Sequence, residues 1–364
     1  MFYLYLFLLW LFVSWLIGRF ILSGSDHSQF DRTTGEIFSD HPDDAKKIAE
    51  FLVKIKATRE EAFANLSLKK GLQLARHFAD NLSAEFDSDC EFRAIDANGV
   101  SCEWTIAPNA NPNRRILFFH GGAYILGSAK GHRIYTHHLS HLANAAVLSV
   151  NYRMLPEHGR HLANKDAQTA YRWILENGPS GATPLEQLLV SGDSAGGNLA
   201  LMISAWSKTQ PFDHPDGVIC FSPNTDLTAN SPTIKSNIAT DPILGEGLGL
   251  ISKLPRFIIG WLGLFSMRVN PANPVNSPLF GDLSNLPPTL IQASDNEMLL
   301  GESLRYTNKA LAAGSSVKLQ IWKNQIHDWQ IFTHDSGSAK EAYEQVKQFV
   351  ESLELNESKL AKAS

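Results

Sequence analysis

Cysteine is scarce in this chain: there are three in 364 residues, and no two stand in a C-x-x-C pair. That spacing makes neither a disulfide framework nor a zinc site. Positive charge is not in excess, since 32 Lys and Arg against 37 Asp and Glu leave a formal charge of −5. With no basic cluster, the electrostatics give no reason to expect nucleic acid. Internal repeats and low-complexity tracts are missing too, which sets aside solenoids and disordered arrays. What is present is a globular composition, 44% hydrophobic and 19% charged, long enough for one large α/β unit plus an accessory part.

Met1 to Gly18 contains no charged side chain and is almost wholly Leu, Phe, Tyr, Trp, Ile and Val. As a helix it spans about 27 Å, close to the hydrocarbon thickness of a bilayer. Arg19 can snorkel and let Phe20 to Leu22 extend the span. A cleaved signal peptide would show a basic start and a small-x-small site; here only the amino terminus and a weak Ser23-Gly24-Ser25 answer to these. Residues 1–22 therefore read as an uncleaved single-pass membrane anchor, with a signal peptide as the alternative. Arg19 alone favours the cytosolic side for the body, and Asp26 and Asp31 add little, so the side stays open.

Ser23 to Gly35 reads as a polar, flexible linker. From Pro42 to Leu82 the pattern is helical, with Ile48, Phe51, Leu52 and Ile55, then Phe63, Leu66, Leu72, Leu74 and Phe78. This fits a helical cap segment, giving 23–88 as linker and cap. Asn98-Gly99 then joins two antiparallel strands, Glu91 to Ala97 and Val100 to Ile106. In that hairpin Cys102 faces Ile95 and Cys90 faces Ala107, which puts the sulfurs roughly 17 Å apart and beyond bridging. All three cysteines read as buried thiols. Apolar strands follow at Ile116 to Phe119, Ala145 to Val150, Leu188 to Val190, Val218 to Phe221, Thr289 to Ala293 and Val317 to Trp322. Helical segments separate several of them, which implies a mostly parallel sheet covered on both faces. The interval Thr225 to Leu286 is too long for a crossover, and Leu248 to Phe265 within it is apolar and helical. A second cap insertion at about 228–270 is therefore expected inside a catalytic body of 89–355, with 356–364 a C-terminal tail. His132, His137, His138 and His141 cluster without H-E-x-x-H, so a polar helix face is expected and no metal site.

The chemistry concentrates in Gly192-Asp193-Ser194-Ala195-Gly196, a G-x-S-x-G turn between an apolar strand and a helical stretch. A serine on such a turn is strained, and its neighbours two positions away must be small or collide. The turn exposes the hydroxyl and leaves the Ala195 N–H at a helix N-terminus, where developing negative charge is favoured. His120-Gly121-Gly122-Ala123-Tyr124 follows the strand Ile116 to Phe119, and glycines there let backbone N–H groups point inward toward an oxyanion. His120 reads as structural.

These two stretches resemble the hormone-sensitive-lipase-like branch of the α/β-hydrolase superfamily, marked by H-G-G-G or H-G-G-A with G-D-S-A-G downstream. The resemblance extends to Tyr152-Arg153 through Glu157-His158, Ser222-Pro223 with Asp226, Asp241-Pro242 and Ser277-Pro278-Leu279, and covers roughly Cys90 to the C-terminal helix. It implies an eight-stranded α/β-hydrolase sheet, a two-segment helical cap and hydrolysis of carboxylic esters with no cofactor. The chain departs from the family's F-P-A-A at Gly159-Arg160-His161-Leu162-Ala163, where a local loop change is expected. Arg153 and Glu157 are expected to pair with each other.

A serine hydroxyl needs a base to take its proton, and the family order is serine, acid, histidine. His327, just past the last strand, matches the base, with His334 the alternative. Glu297 matches the acid because Leu299 and Tyr306 stand at the family's spacing; Asp295 is the alternative, otherwise an N-cap. The expected site is thus Ser194, Glu297 and His327, with Gly121, Gly122 and Ala195 as oxyanion donors. An ester hydrolase for hydrophobic short- to medium-chain substrates follows, against an amidase, deacetylase or lactonase using the same triad. A looser similarity, to the arylacetamide deacetylases, comes from the anchor. A receptor on a hydrolase fold is the non-catalytic alternative, and relatives that pair through the sheet edge make a homodimer one option.

Overall fold

The computed structural model describes residues 1–63 and 67–363. Leu66 of the helical pattern lies outside these residues. The chain opens with α1 (Phe2–Ile17), which continues in one wider turn, Gly18–Leu22. β1 (Glu36–Phe38) and the helices α2 (Asp44–Phe63) and α3 (Leu68–Asp80) come next. A long mixed region then alternates β2 (Glu91–Asp96), β3 (Ser101–Ile106), β4 (Asn111–Phe119), α4 (Arg133–Leu142), β5 (Ala145–Val150) and α5 (Arg160–Glu176). A small ladder of β6 (Asn177–Gly178) and β7 (Gly181–Ala182) precedes β8 (Gln187–Asp193), α6 (Ser194–Ser207) and β9 (Gly217–Phe221). Three helices interrupt the alternation, α7 (Thr233–Ser236), α8 (Gly245–Ser252) and α9 (Arg256–Met267). β10 (Thr289–Ser294), α10 (Leu300–Ala312), β11 (Val317–Trp322), α11 (Trp329–Phe332) and α12 (Gly337–Ala363) complete the chain.

The main sheet has nine strands in the order β1-β11-β10-β9-β8-β4-β5-β3-β2, parallel except for the two pairings of β3. Eight are those expected. The ninth, β1, lies in the stretch read as linker and pairs in parallel with β11; three residues carry too little alternation to signal a strand. The linker is also less free than its polarity suggests. Asp31 meets Arg305 at 2.6 Å, and Asn308 donates to the carbonyls of Phe30 and Arg32. At the other end, residues 356–363 continue α12 and form no separate tail. Pro255 divides the apolar stretch 248–265 into α8 and α9, as a residue lacking an N–H does.

Two apolar layers sandwich the sheet. α5, α6 and α10 pack on one face around Ala167, Leu199 and Tyr306, while α4 and α12 pack on the other around Tyr135, Leu139 and Val346. Register decides where chemistry can sit. Phe119 pairs with Gly192, and Ser294 pairs with Trp322. The C-terminal ends of β4, β8, β10 and β11 therefore form one rim. The chain runs from β4 out to β5 on one side and from β5 crosses back to β8 on the other, opening the crevice where parallel sheets bind ligands.

Candidate active site

The turn at the end of β8 is built by exclusion of side chains. A Cβ on Gly192 would lie 2.5 Å from the Gly196 carbonyl, and one on Gly196 would lie 1.9 Å from the Phe119 oxygen. Only hydrogen fits there. Ser194 itself adopts φ +50, a left-handed conformation worth about 1–3 kcal/mol of strain for a non-glycine residue. α6 begins at once, so the Ala195 N–H is among the first-turn donors with no intrahelical partner.

The end of β11 brings in the candidate base. His327 Nε2 lies 2.9 Å from Ser194 Oγ, and its Nδ1 lies 3.0 Å from Glu297 Oε2. Glu297 follows β10 and is completely buried. Its pKa is raised, by burial first, although the imidazole beside it pulls the other way. For His327, burial disfavours the charged ring, but the Asp328 and Glu297 carboxylates outweigh it and hold the ring well above its ordinary value. Asp328 is a residue the sequence reading did not single out. Its Oδ2 stands 3.1 Å from Nε2, and burial raises its own pKa while the His327 ring pulls it down. Its position next to His327 was the available signal. Gln325, two residues before His327, donates to Asp44 at the start of α2, which steadies the loop.

Gly121 departs from expectation. Its N–H donates to Asp193 Oδ1 at 3.0 Å, and a Cβ there would meet the other carboxylate oxygen at 2.1 Å. The residue is a hinge between loop and elbow, with its amide already committed. Gly122, at φ +106, and Ala123 face the cavity instead, and the Gly122 N–H has no protein partner among the described residues. His120 is buried and stacked on Tyr152 at 4.3 Å, with Nδ1 2.8 Å from the Gly121 carbonyl oxygen. Burial drives its pKa down to about 3, so it is a neutral strut.

The remaining predicted residues divide. Asp295 accepts from the Asn324 N–H at 2.8 Å and caps no helix, because α10 starts only after Leu299. His334 packs edge-on against Phe86, away from Ser194. Arg153 and Glu157 do not pair. Arg153 binds Asp166, and Glu157 forms two bonds of 2.8 and 2.9 Å with Arg76 of α3. Arg76 also donates to the Ile125 and Leu155 carbonyls, tying α3 to the glycine loop, a link between distant segments that no local pattern announces. Arg160, at the family departure, is buried behind α6. It donates to Tyr124 at 3.0 Å and to Asn164, Asn198 and Asn276. The expected loop change is therefore a buried hydrogen-bond cluster supporting the elbow helix.

Above Ser194 and His327 lies a cavity of about 500 Å³. Ile55 of α2, Leu72 and Phe78 of α3, and Ile243 and Leu244 ahead of α8 form its walls. Both helical regions outside the α/β alternation thus meet over the rim.

Residues 116–331 match the alpha/beta hydrolase fold family. An esterase of Acinetobacter venetianus is 33% identical over 284 residues, 78% of this chain and 88% of its own. The carboxylesterase/phospholipase LipF of Mycobacterium tuberculosis is 31% identical over 65% of this chain and 61% of its own. Among solved structures, a hormone-sensitive lipase from a metagenome library superposes with a TM-score of 0.71 at 30% identity, over 84% of this chain and 97% of its own. An esterase of the bacterial hormone-sensitive lipase family gives 0.69 at 28% identity, over 83% and 97%.

Proposed function

The chain belongs to the alpha/beta hydrolase fold family, in its hormone-sensitive-lipase-like branch, and is a carboxylic-ester hydrolase; on that premise we propose that Ser194, His327 and Glu297 perform the reaction. His327 takes the proton of the Ser194 hydroxyl as the oxygen attacks the ester carbonyl. The Gly122 and Ala195 N–H groups receive the oxyanion. Glu297 holds the ring in the tautomer that leaves Nε2 free to accept, and stabilises the imidazolium. His327 then protonates the departing alcohol. Water, deprotonated by the same ring, releases the acid from the acyl-enzyme. The observation that carries this reading is the unbroken line of 3.0 and 2.9 Å contacts from Glu297 to Ser194 at the floor of an apolar cavity. Its walls favour hydrophobic short- to medium-chain acyl groups. Ser194→Ala is expected to abolish turnover of a short-chain aryl ester, and labelling by a fluorophosphonate, with circular dichroism unchanged. Turnover like that of the wild type would overturn the assignment; a receptor on this fold would show no labelling of the wild type.

We further read Phe2–Leu22 as a membrane anchor. It is 21 residues long with a mean hydropathy of 2.0, and only 6% of its most apolar stretch is buried. Its base packs on α9: Trp261 donates to the Ser14 carbonyl at 3.0 Å, and Arg256 donates to that of Ser23. Beside it, Leu250 and Phe265 stand 76% and 73% exposed, which extends the apolar surface from the span onto the body. The full chain should stay with membranes after alkaline carbonate extraction, at its uncleaved mass. Release as a shortened product would make the segment a signal peptide.

A further inference from the structure

Helix α4 presents His137 and His141 one turn apart, facing Asp89 and Cys90 in the segment that enters β2. Cys90 Sγ lies 3.4 Å from His137 Nδ1 and 3.9 Å from Asp89 Oδ1. Asp89 Oδ1 lies 3.7 Å from His137 Nδ1 and 2.8 Å from His141 Nε2. All four donor atoms fall within 4.8 Å of one another. Around a tetrahedral zinc ion, with bonds of about 2.0–2.3 Å, neighbouring donors stand roughly 3.3–3.7 Å apart. These separations, 2.8 to 3.9 Å, bracket that range.

We propose that Asp89, Cys90, His137 and His141 form a tetrahedral site for a divalent cation of the zinc class, fastening the 81–90 segment to α4. One thiolate, two imidazoles and a carboxylate make a donor set of intermediate softness that suits zinc over magnesium or calcium. Charge balances as well. The thiolate and the carboxylate together neutralise the dication, and both imidazoles bind neutral. Asp89 is ionised beforehand, its pKa lowered first by the His141 ring. Burial raises the Cys90 thiol to about 11, so it is protonated until a metal displaces the proton. Binding therefore forms four metal–ligand bonds, breaks one S–H bond and releases one proton to solvent. The Ser88 hydroxyl, now 2.9 Å from His137 Nδ1, turns away to free that nitrogen, and the proton that His141 Nε2 now donates to Asp89 is transferred through solvent to Nδ1, so the ring stays neutral. The site fills all four positions with protein ligands, as structural zinc sites do. None of the four residues lines the cavity over Ser194. The segment it fixes runs from α3, whose residues do line that cavity, so the metal would stiffen the wall of the cavity without touching the reaction.

The spacing of the two histidines on α4 is visible in the sequence, where by itself it fits a polar helix face. The other two donors lie 47 residues or more away along the chain, by the separation of Cys90 from His137. Three cysteines without C-x-x-C spacing gave no reason to join them.

Cobalt titration of the full, thiol-reduced protein tests the proposal. One equivalent should produce the visible bands of tetrahedral cobalt and a thiolate-to-metal charge-transfer band in the near ultraviolet, both erased by zinc. Cys90→Ser should remove the charge-transfer band, and His141→Ala should weaken uptake by tenfold or more. His141 is exposed, so its variant serves even if that at Cys90 does not fold. Zinc should raise the melting temperature of the wild type but not of His141→Ala, with ester turnover at room temperature unchanged by a chelator. Absence of stoichiometric tetrahedral cobalt, or a spectrum indifferent to both substitutions, would overturn the site.

Discussion

The floor and the roof of the cavity are held by opposite means. On the floor, Gly192 and Gly196 leave no room for a carbon atom, Asp193 fixes Gly121, and Glu297 and His327 are buried and bonded. Steric exclusion and hydrogen bonds over-determine every position, which is how a strained serine persists. The roof presents apolar side chains from α2, α3 and the stretch before α8, anchored by a few polar ties such as Arg76 to Glu157 and Asp44 to Ser338. Packing tolerates exchange of one hydrophobic shape for another; a proton relay does not tolerate a shift of an ångström. Under the proposed mechanism, chemistry belongs to the over-determined layer and substrate preference to the forgiving one.

The sharpest way to break this contrast is to alter the floor without changing its shape. Glu297→Gln should cut kcat on the order of 10⁴, as loss of the acid does in other serine hydrolases. Asp295→Asn should cost far less, since the Asn Oδ1 can still accept from the Asn324 N–H and only the charge is lost. A reversal of these two, in steady-state rates on an aryl ester, would move the acid to Asp295. A roof substitution should act on selectivity alone. Leu72→Phe should lower kcat/KM for longer acyl chains by roughly tenfold relative to acetate, with the acetate rate kept. Equal losses across a chain-length series would mean that Leu72 also positions the floor.

The smallest effect is expected at Asp328. Its carboxylate stabilises the imidazolium and so raises the pKa of His327. The proposed mechanism needs the neutral ring, hence Asp328→Asn should lower that pKa and carry the acid limb of kcat/KM to lower pH. The plateau rate should change by no more than about tenfold. An acid limb that stays in place would show that Asp328 does not act on the ring.

The same division explains what the sequence made legible. The elbow could be read because its steric demand falls within five consecutive residues, Gly192 to Gly196. Glu297 is singled out by its spacing to Leu299 and Tyr306, and it lies 3.0 Å from His327 Nδ1. The parallel strands announced themselves as apolar runs. By contrast, Gly121 looked like an oxyanion donor because a motif records that glycine is required, not which contact requires it. Here the requirement comes from Asp193, 72 residues on. Arg153 and Glu157 were matched to each other by proximity in the chain, whereas tertiary packing supplies Asp166 and Arg76 as partners. β1 escaped because it is three residues long and gains its order from pairing with β11.

The stretch from Ser23 to Phe38 has a mechanical consequence. Arg256 grips its beginning, Arg305 and Asn308 hold its middle, and β11 takes up its end as an additional strand. The first helix is thus joined to the body by a bracket and not by a leash. If that helix stands in a bilayer, the mouth above Ser194 keeps one height and one heading over the lipid surface, and the esters within its reach are set by that fixed stance.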